Sequence, residues 1–123
     1  MILLNFGPKQ NKMFFDQFQA MTNKKIDEQI TIPLEFENSE EFITTLMKAF
    51  SKLNVTEEFL KANELVLFPP ASSHAALCLL AELFRITGRM PLIIRTRQNL
   101  YSFISRSDII EVIDLEKIAH TTY

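Results

Sequence analysis

Ser72, Ser73 and His74 stand in a row between a double proline and a long apolar stretch. A hydroxyl both donates to and accepts from a phosphate oxygen, and an imidazole titrates close to neutral pH and passes protons. Further on, Arg95-Thr96-Arg97 sets two guanidiniums two residues apart, which on a strand turns both to one side. Such forks match a phosphate bidentately. Near the start, Asn5, Phe6 and Gly7 close an apolar run, and Lys9 follows Pro8. Donors of these types hold an anion. They do not by themselves define a reaction.

A strand that feeds straight into a helix must position them. Glu64-Leu65-Val66-Leu67-Phe68 is rich in strand formers and stops at Pro69-Pro70; after a short polar turn an almost wholly apolar helix begins at Ala75. That order sets the helix's unpaired N–H groups at the carboxyl edge of a sheet, where amides and dipole favour a negatively charged, phosphate-bearing ligand. The candidate ligand contacts are Asn5, Phe6, Gly7 and Lys9 after the first strand, and Pro70, Ser72, Ser73 and His74 after the third. Arg95, Thr96 and Arg97 join them at the end of the fourth. Each has a plainer alternative. Asn5 bridges loop backbone, one serine caps the helix, His74 is a surface imidazole, and the arginines are solvated charges. Arg85 and Arg89 are expected to answer the dipole at the far end of the helix, and Lys24-Lys25 to form a solvated face.

The rest of the chain alternates strand and helix. Ile2 to Phe6 is a strand buried on both faces, and Pro8 suits the first turn of a helix over Lys9 to Thr22 carrying Phe14, Phe18 and Met21. Ile30-Thr31-Ile32 is a second strand, extending to Leu34. Asn38 with Glu41 reads as a capping box for a helix to Leu53, with Phe42, Ile43, Leu46, Met47 and Phe50 as its stripe. Thr56 caps a short helix with Phe59 and Leu60. Gly88 stops the third long helix in a left-handed turn. Leu92 to Thr96 is the fourth strand. Tyr101 to Ile104 and Ile109 to Leu115 are two more strands, or a strand and a turn of helix, and His120 falls in a mobile tail. Alternation of this kind predicts an α/β fold: a three-layer, Rossmann-like sandwich with a mainly parallel sheet.

Composition sets limits. With 123 residues the chain is expected to form one domain, 1–123, around one core. The formal net charge of −2 leaves no global basic field to recruit long nucleic acid, though a local patch suffices for a small anion. A single Cys and two distant His offer no metal site, and no motif demands a cofactor. Cys78 reads as buried packing. The uncharged run from Leu65 to Ala81 is broken by Pro69-Pro70 and is no membrane span, so a cytoplasmic protein is expected. The helix from Ala75 to Ile86 is apolar almost all round, which predicts either a covered central helix or a subunit interface.

Met1-Ile2-Leu3-Leu4-Asn5-Phe6, followed by a Pro-led, Gln-rich helix, resembles the opening of a small stand-alone family of CRISPR-associated proteins. These accompany type III systems and are related to the CRISPR-associated Rossmann fold (CARF) domains. Pro70 and a serine before Ala75-Ala76-Leu77, and Ala81-Glu82-Leu83 leading through Gly88 to Pro91 and Arg95, also match. The resemblance implies a CARF-like domain in antiviral defence that binds cyclic oligoadenylate, with the tetra-adenylate ring expected; the symmetry of such a ring suits a homodimer or higher oligomer. Because the sequence offers no convincing acid–base set, sequestration of that messenger is expected. The alternative that the resemblance carries is a metal-independent ring nuclease, with Ser73 and His74 as the catalytic candidates beside Arg95. Outside the resemblance, the apolar helix fits a protein–protein adaptor with no nucleotide ligand.

Overall fold

The computed structural model describes residues 1–34, 41–99 and 106–120. Five strands form one sheet in the order β2-β1-β3-β4-β5. They are β1 (Ile2–Asn5), β2 (Glu28–Thr31), β3 (Leu65–Phe68), β4 (Leu92–Asn99) and β5 (Arg106–Asp114). The first four run parallel, and β5 returns antiparallel along β4. Helices α1 (Lys12–Thr22), α2 (Phe42–Lys52), α3 (Glu57–Ala62), α4 (Ser73–Thr87) and α5 (Leu115–Ala119) fill the connections. This is the expected α/β fold, Rossmann-like with a mixed, mostly parallel sheet.

Strand alternation divides the core in two. Leu3, Val66 and Ile94 point to one face and pack on Phe14 and Phe18 of α1. Ile2, Leu4, Leu65 and Leu67 point to the other, where Leu46, Phe50, Leu60, Leu79 and Leu83 of α2, α3 and α4 cover them. A period of two in the strands and four in the helices is what buries both sets at once. Local signals set the ends of the elements. Thr56 caps α3 through Phe59 N–H, Ser72 caps α4 through Ala75 N–H, and Gly88 stops α4 at φ 71° while its N–H reaches Phe84 C=O.

Several expectations need correction. The first helix starts at Lys12 behind an Asn11 cap, which leaves Lys9 in the loop. Met21 and Met47 are largely exposed and not part of their core stripes. Glu41 is itself the N-cap of α2 and makes no side-chain cap bond; Asn38, the partner expected of it, lies outside the described residues. Strand β4 runs on to Asn99, because β5 pairs with it over its whole length. The Tyr101 to Ile104 strand lies outside the described residues. The tail is a strand and a turn of helix, with His120 as the α5 C-cap and its Nε2 3.6 Å from Glu116. Cys78 is exposed, since α4 turns Ala75, Leu79, Leu83 and Ile86 to the sheet and Cys78 falls between those rows.

The Phe18 ring is fully buried in the smaller of the two cores, which a single long helix closes. Phe18→Ala should therefore cost about 3–5 kcal/mol. Urea denaturation followed by far-UV circular dichroism measures it, and Met21→Ala one turn away should change stability by under about 0.5 kcal/mol.

Candidate functional site

In this strand order the chain leaves β1 toward β2 on one side and leaves β3 toward β4 on the other. The carboxyl ends of β1 and β3 therefore flank a topological switch point, the place where loops diverge and open α/β sheets take ligands. Asn5 and Phe68 are paired there as the last residues of their strands.

A buried polar network shapes the first loop. Asn5 is fully buried, and both its amide hydrogens are used: Nδ2 donates to Pro8 C=O at 2.7 Å and to Gln29 Oε1 at 2.8 Å. Its Oδ1 accepts from Gly7 N–H at 2.8 Å. Gln29, on β2, also accepts from Gln10 N–H at 2.9 Å and donates to Gln10 C=O at 3.2 Å. Gln10 in turn donates through Nε2 to Pro8 C=O at 2.7 Å. The loop from Phe6 to Asn11 is thus tied to two strands by side-chain amides before α1 begins. Gly7 lies against the Phe68 ring, so closely that an added Cβ would sit 2.4 Å from a ring carbon. Glycine is required here by close approach, not by φ.

The second loop follows β3. Pro69 and Pro70 are half-buried, whereas Ser72, Ser73 and His74 are exposed. Ser72 Oγ accepts from Ala75 N–H at 3.3 Å and Ser72 C=O from Ala76 N–H at 3.0 Å. The amides of Ser73 and His74, in the first turn of the fifteen-residue α4, point out at the edge as the orphan donors of a helix start. The third contribution comes from β4. Its register with β3 pairs Leu67 with Ile93, so Arg95 stands one step past the end of β3 on the same sheet face as α4. Arg95 is exposed and reaches Glu111 Oε1 across the β4–β5 pair at 3.3 Å. It is mid-strand, where a strand end was expected. Thr96 is half-buried opposite Ile109 beyond a bulge, and Arg97 is exposed. The register shift between Arg95 and Thr96 falls on β5, where Ile110 is the extra residue, so β4 keeps its alternation and Arg95 and Arg97 share a face.

The fold therefore gathers two loops and a strand at one edge and gives their residues different places. Lys9, Ser73, His74 and Arg95 are exposed and Gly7 is half-buried, while Asn5 holds the loop from beneath. Sequence reasoning missed Gln10 and Gln29. A polar residue at the end of a buried apolar strand signals that partners exist, but only the fold says which. Arg85 stands in the last turn of α4, where a cation answers the helix dipole, and Arg89 lies just past the Gly88 cap. Arg85 pairs with Glu82 and Glu57, which raise its pKa, and Arg89 donates to the carbonyls of Lys61, in the last turn of α3, and of Asn63, its C-cap. Asp27, held below the usual carboxylate range by the Met1 ammonium, lies at the opposite edge of the sheet. No group of three or more metal-ligating side chains occurs among the described residues. None of the described helices is long and apolar enough to cross a membrane.

Two clefts lie away from this edge. One, of about 240 Å³, opens at the amino ends of β3 and β4 between Lys24, Glu64, Arg89 and Glu116. The other, of about 250 Å³, runs between α2, α3 and α4 and is lined chiefly by Leu46, Phe50, Leu60 and Ile86. No family model matches the chain, and no curated protein or solved structure is significantly similar to it.

Asn5→Ala leaves the Gly7 amide, the Gln29 side chain and part of the Pro8 carbonyl demand unmet in a buried place, and should cost about 2–3 kcal/mol. Asn5→Asp places a carboxylate against two acceptors, which raises its folded pKa above the unfolded value. Its stability should be greatest below about pH 4 and fall as pH rises through the folded pKa. Thermal melts from pH 4 to 8, with wild type alongside, read both effects.

Proposed function

We propose that this protein binds a cyclic oligoadenylate at the carboxyl edge of its sheet and lowers the free level of that messenger by holding it. The observation that carries the reading is the meeting of a helix start, a preorganised loop and an arginine at the β1/β3 switch point. Helix-start amides and a nearby guanidinium are what phosphates require. The Gly7-Pro8-Lys9 loop adds a cation on a backbone that the Asn5 network keeps in place. The resemblance of Met1 to Phe6 and of the β3–α4 junction to the type III CRISPR-associated family supplies the ligand class. A ring of several phosphates has rotational symmetry, which a two-fold assembly presenting the same loops twice satisfies.

Sequestration is favoured over cutting by what surrounds His74. It is exposed, and no group among the described residues is hydrogen-bonded to it, so none of them orients the imidazole for proton transfer. Metal-independent ring opening needs a held geometry and fixed donors at the reacting phosphate.

Calorimetric titration with cyclic tetra-adenylate tests the reading. Arg95→Ala should weaken binding roughly ten- to a hundredfold, the size of a charge-assisted contact of about 1.5–3 kcal/mol. Lys24→Ala, at the opposite edge, should leave affinity within about twofold. The ligand should be recovered intact by chromatography after long incubation with stoichiometric protein. Linear adenylates in its place would make the protein a ring nuclease. Absence of any heat or thermal shift would remove the nucleotide altogether and favour the adaptor.

A further inference from the structure

Helices α1 and α4 leave the sheet's amino end through the same device. The first runs out at Thr22-Asn23-Lys24 and the second at Thr87-Gly88-Arg89. In each, the threonine hydroxyl donates to the carbonyl four residues back, Phe18 or Leu83, at 2.8 Å. It accepts from the amide two residues ahead, Lys24 or Arg89, at 3.1 Å. The residue between is left-handed, Asn23 at φ 57° and Gly88 at φ 71°. Each device stops its helix sharply and fixes the backbone of a cation. The two helices lie on opposite faces of the sheet, yet Lys24 and Arg89 both line the cleft of about 240 Å³ at the amino ends of β3 and β4.

The charges in this cleft are not fully engaged with one another. A cation past a helix end answers the dipole, but the dipole sets no direction for its side chain. Arg89 is held in one direction, with Nη2 donating to the Lys61 and Asn63 carbonyls at 3.0 and 3.1 Å. No carboxylate among the described residues pairs with its guanidinium, and Nε and Nη1 keep their donors for another acceptor. Lys24 Nζ lies 3.8 Å from Glu64, too far for a hydrogen bond. The other two carboxylates of the cleft are committed to backbone. Asp114 accepts from Lys117 N–H at 3.2 Å, and Glu116 from Met90 N–H at 2.9 Å. What remains available is a guanidinium, an ammonium and one loosely held carboxylate, beside the apolar Leu65, Pro91 and Leu92.

We propose that this cleft binds a free α-amino acid with an apolar side chain. Its carboxylate meets Arg89 and Lys24, its ammonium meets Glu64, and its side chain lies against the leucines. A purely anionic ligand would face three carboxylates and the carbonyl ends of two helices. A purely cationic one would face Arg89 and Lys24. Only a ligand carrying both signs on a short frame satisfies the whole set. The volume is below the roughly 300 Å³ at which sites for drug-sized ligands begin, which suits a single amino acid. The cleft lies at the other end of the strands from the switch point and shares no residue with it, so its test is independent of nucleotide binding.

Differential scanning fluorimetry and calorimetric titration with leucine, methionine and phenylalanine, up to about 10 mM, test the proposal. At least one should raise the melting temperature saturably. Its amide, which lacks the carboxylate, and its deaminated acid, which lacks the ammonium, should each bind at least about tenfold more weakly. Arg89→Met and Glu64→Gln should each weaken binding about tenfold or more. Lys52→Ala, an exposed cation outside the cleft, should leave affinity within about twofold. If Arg89→Met loses the fold, amide spectra of the wild type decide the matter. The amino acid should shift the resonances of Glu64, Met90 and Leu92 and leave those of Gly7 and Ser73 in place. No saturable response to any of the three, an equal response to the singly charged analogues, full affinity in folded Arg89→Met, or shifts confined to other residues overturns the proposal.

Discussion

A single buried carboxamide organises the carboxyl edge of the sheet, on which the proposed site depends. Asn5 ends β1, the strand that hydrogen-bonds to β2 on one side and β3 on the other, and it is wholly withdrawn from water. A buried amide with free hydrogens is costly, so its position must be satisfied completely or not occupied. Its three bonds reach forward to Gly7 and Pro8 and sideways to Gln29, converting the loop from Phe6 to Asn11 into a fixed structure. Gly7 can then lie flat on Phe68, where no side chain fits. An apolar residue at position 5 would pack as well in the strand and leave the loop without a template.

The same logic of one strand end serving two roles recurs at β3. Pro69 and Pro70 cannot continue the ladder, so the chain leaves the sheet at once, and Ser72 starts a helix within four residues of Phe68. The short connection holds the α4 start close to the β1 loop. Net charge contributes nothing to anion binding at −2, so any affinity must be built from local donors in fixed places. Rigidity of the two loops is what such an economy of charge demands.

Features decided within a few residues were legible in the sequence. Thr56, Ser72 and Gly88 act through their own backbone neighbours, and each takes the position its chemistry predicts. The β1 and β3 cores and the α/β alternation followed from period alone. What could not be read depends on distant partners. Cys78 is exposed because of the angle at which α4 meets the sheet, not because of its apolar neighbours. Arg89 reaches carbonyls at the end of α3 that lie 26 and 28 residues away. The length of β4 was set by β5, whose antiparallel return no residue of β4 announces. At the candidate edge the residue types were visible, yet the division between Asn5 as support and Ser73 and Arg95 as outward groups needed the register.

The apolar excess of α4 connects these levels. A helix that served only its own sheet would need one stripe, and Ala75, Leu79, Leu83 and Ile86 already provide it. Leu77 and Phe84, both exposed, lower solubility and add nothing to the core, so folding alone does not account for them. They sit on the same helix whose first turn offers its amides at the switch point, and beside the same strand that carries Arg95. The two-fold assembly of the proposed function would fix the direction of both helix starts relative to each other. Two fixed starts and two arginines define a spacing, and a spacing is what distinguishes a ring of several phosphates from a single one.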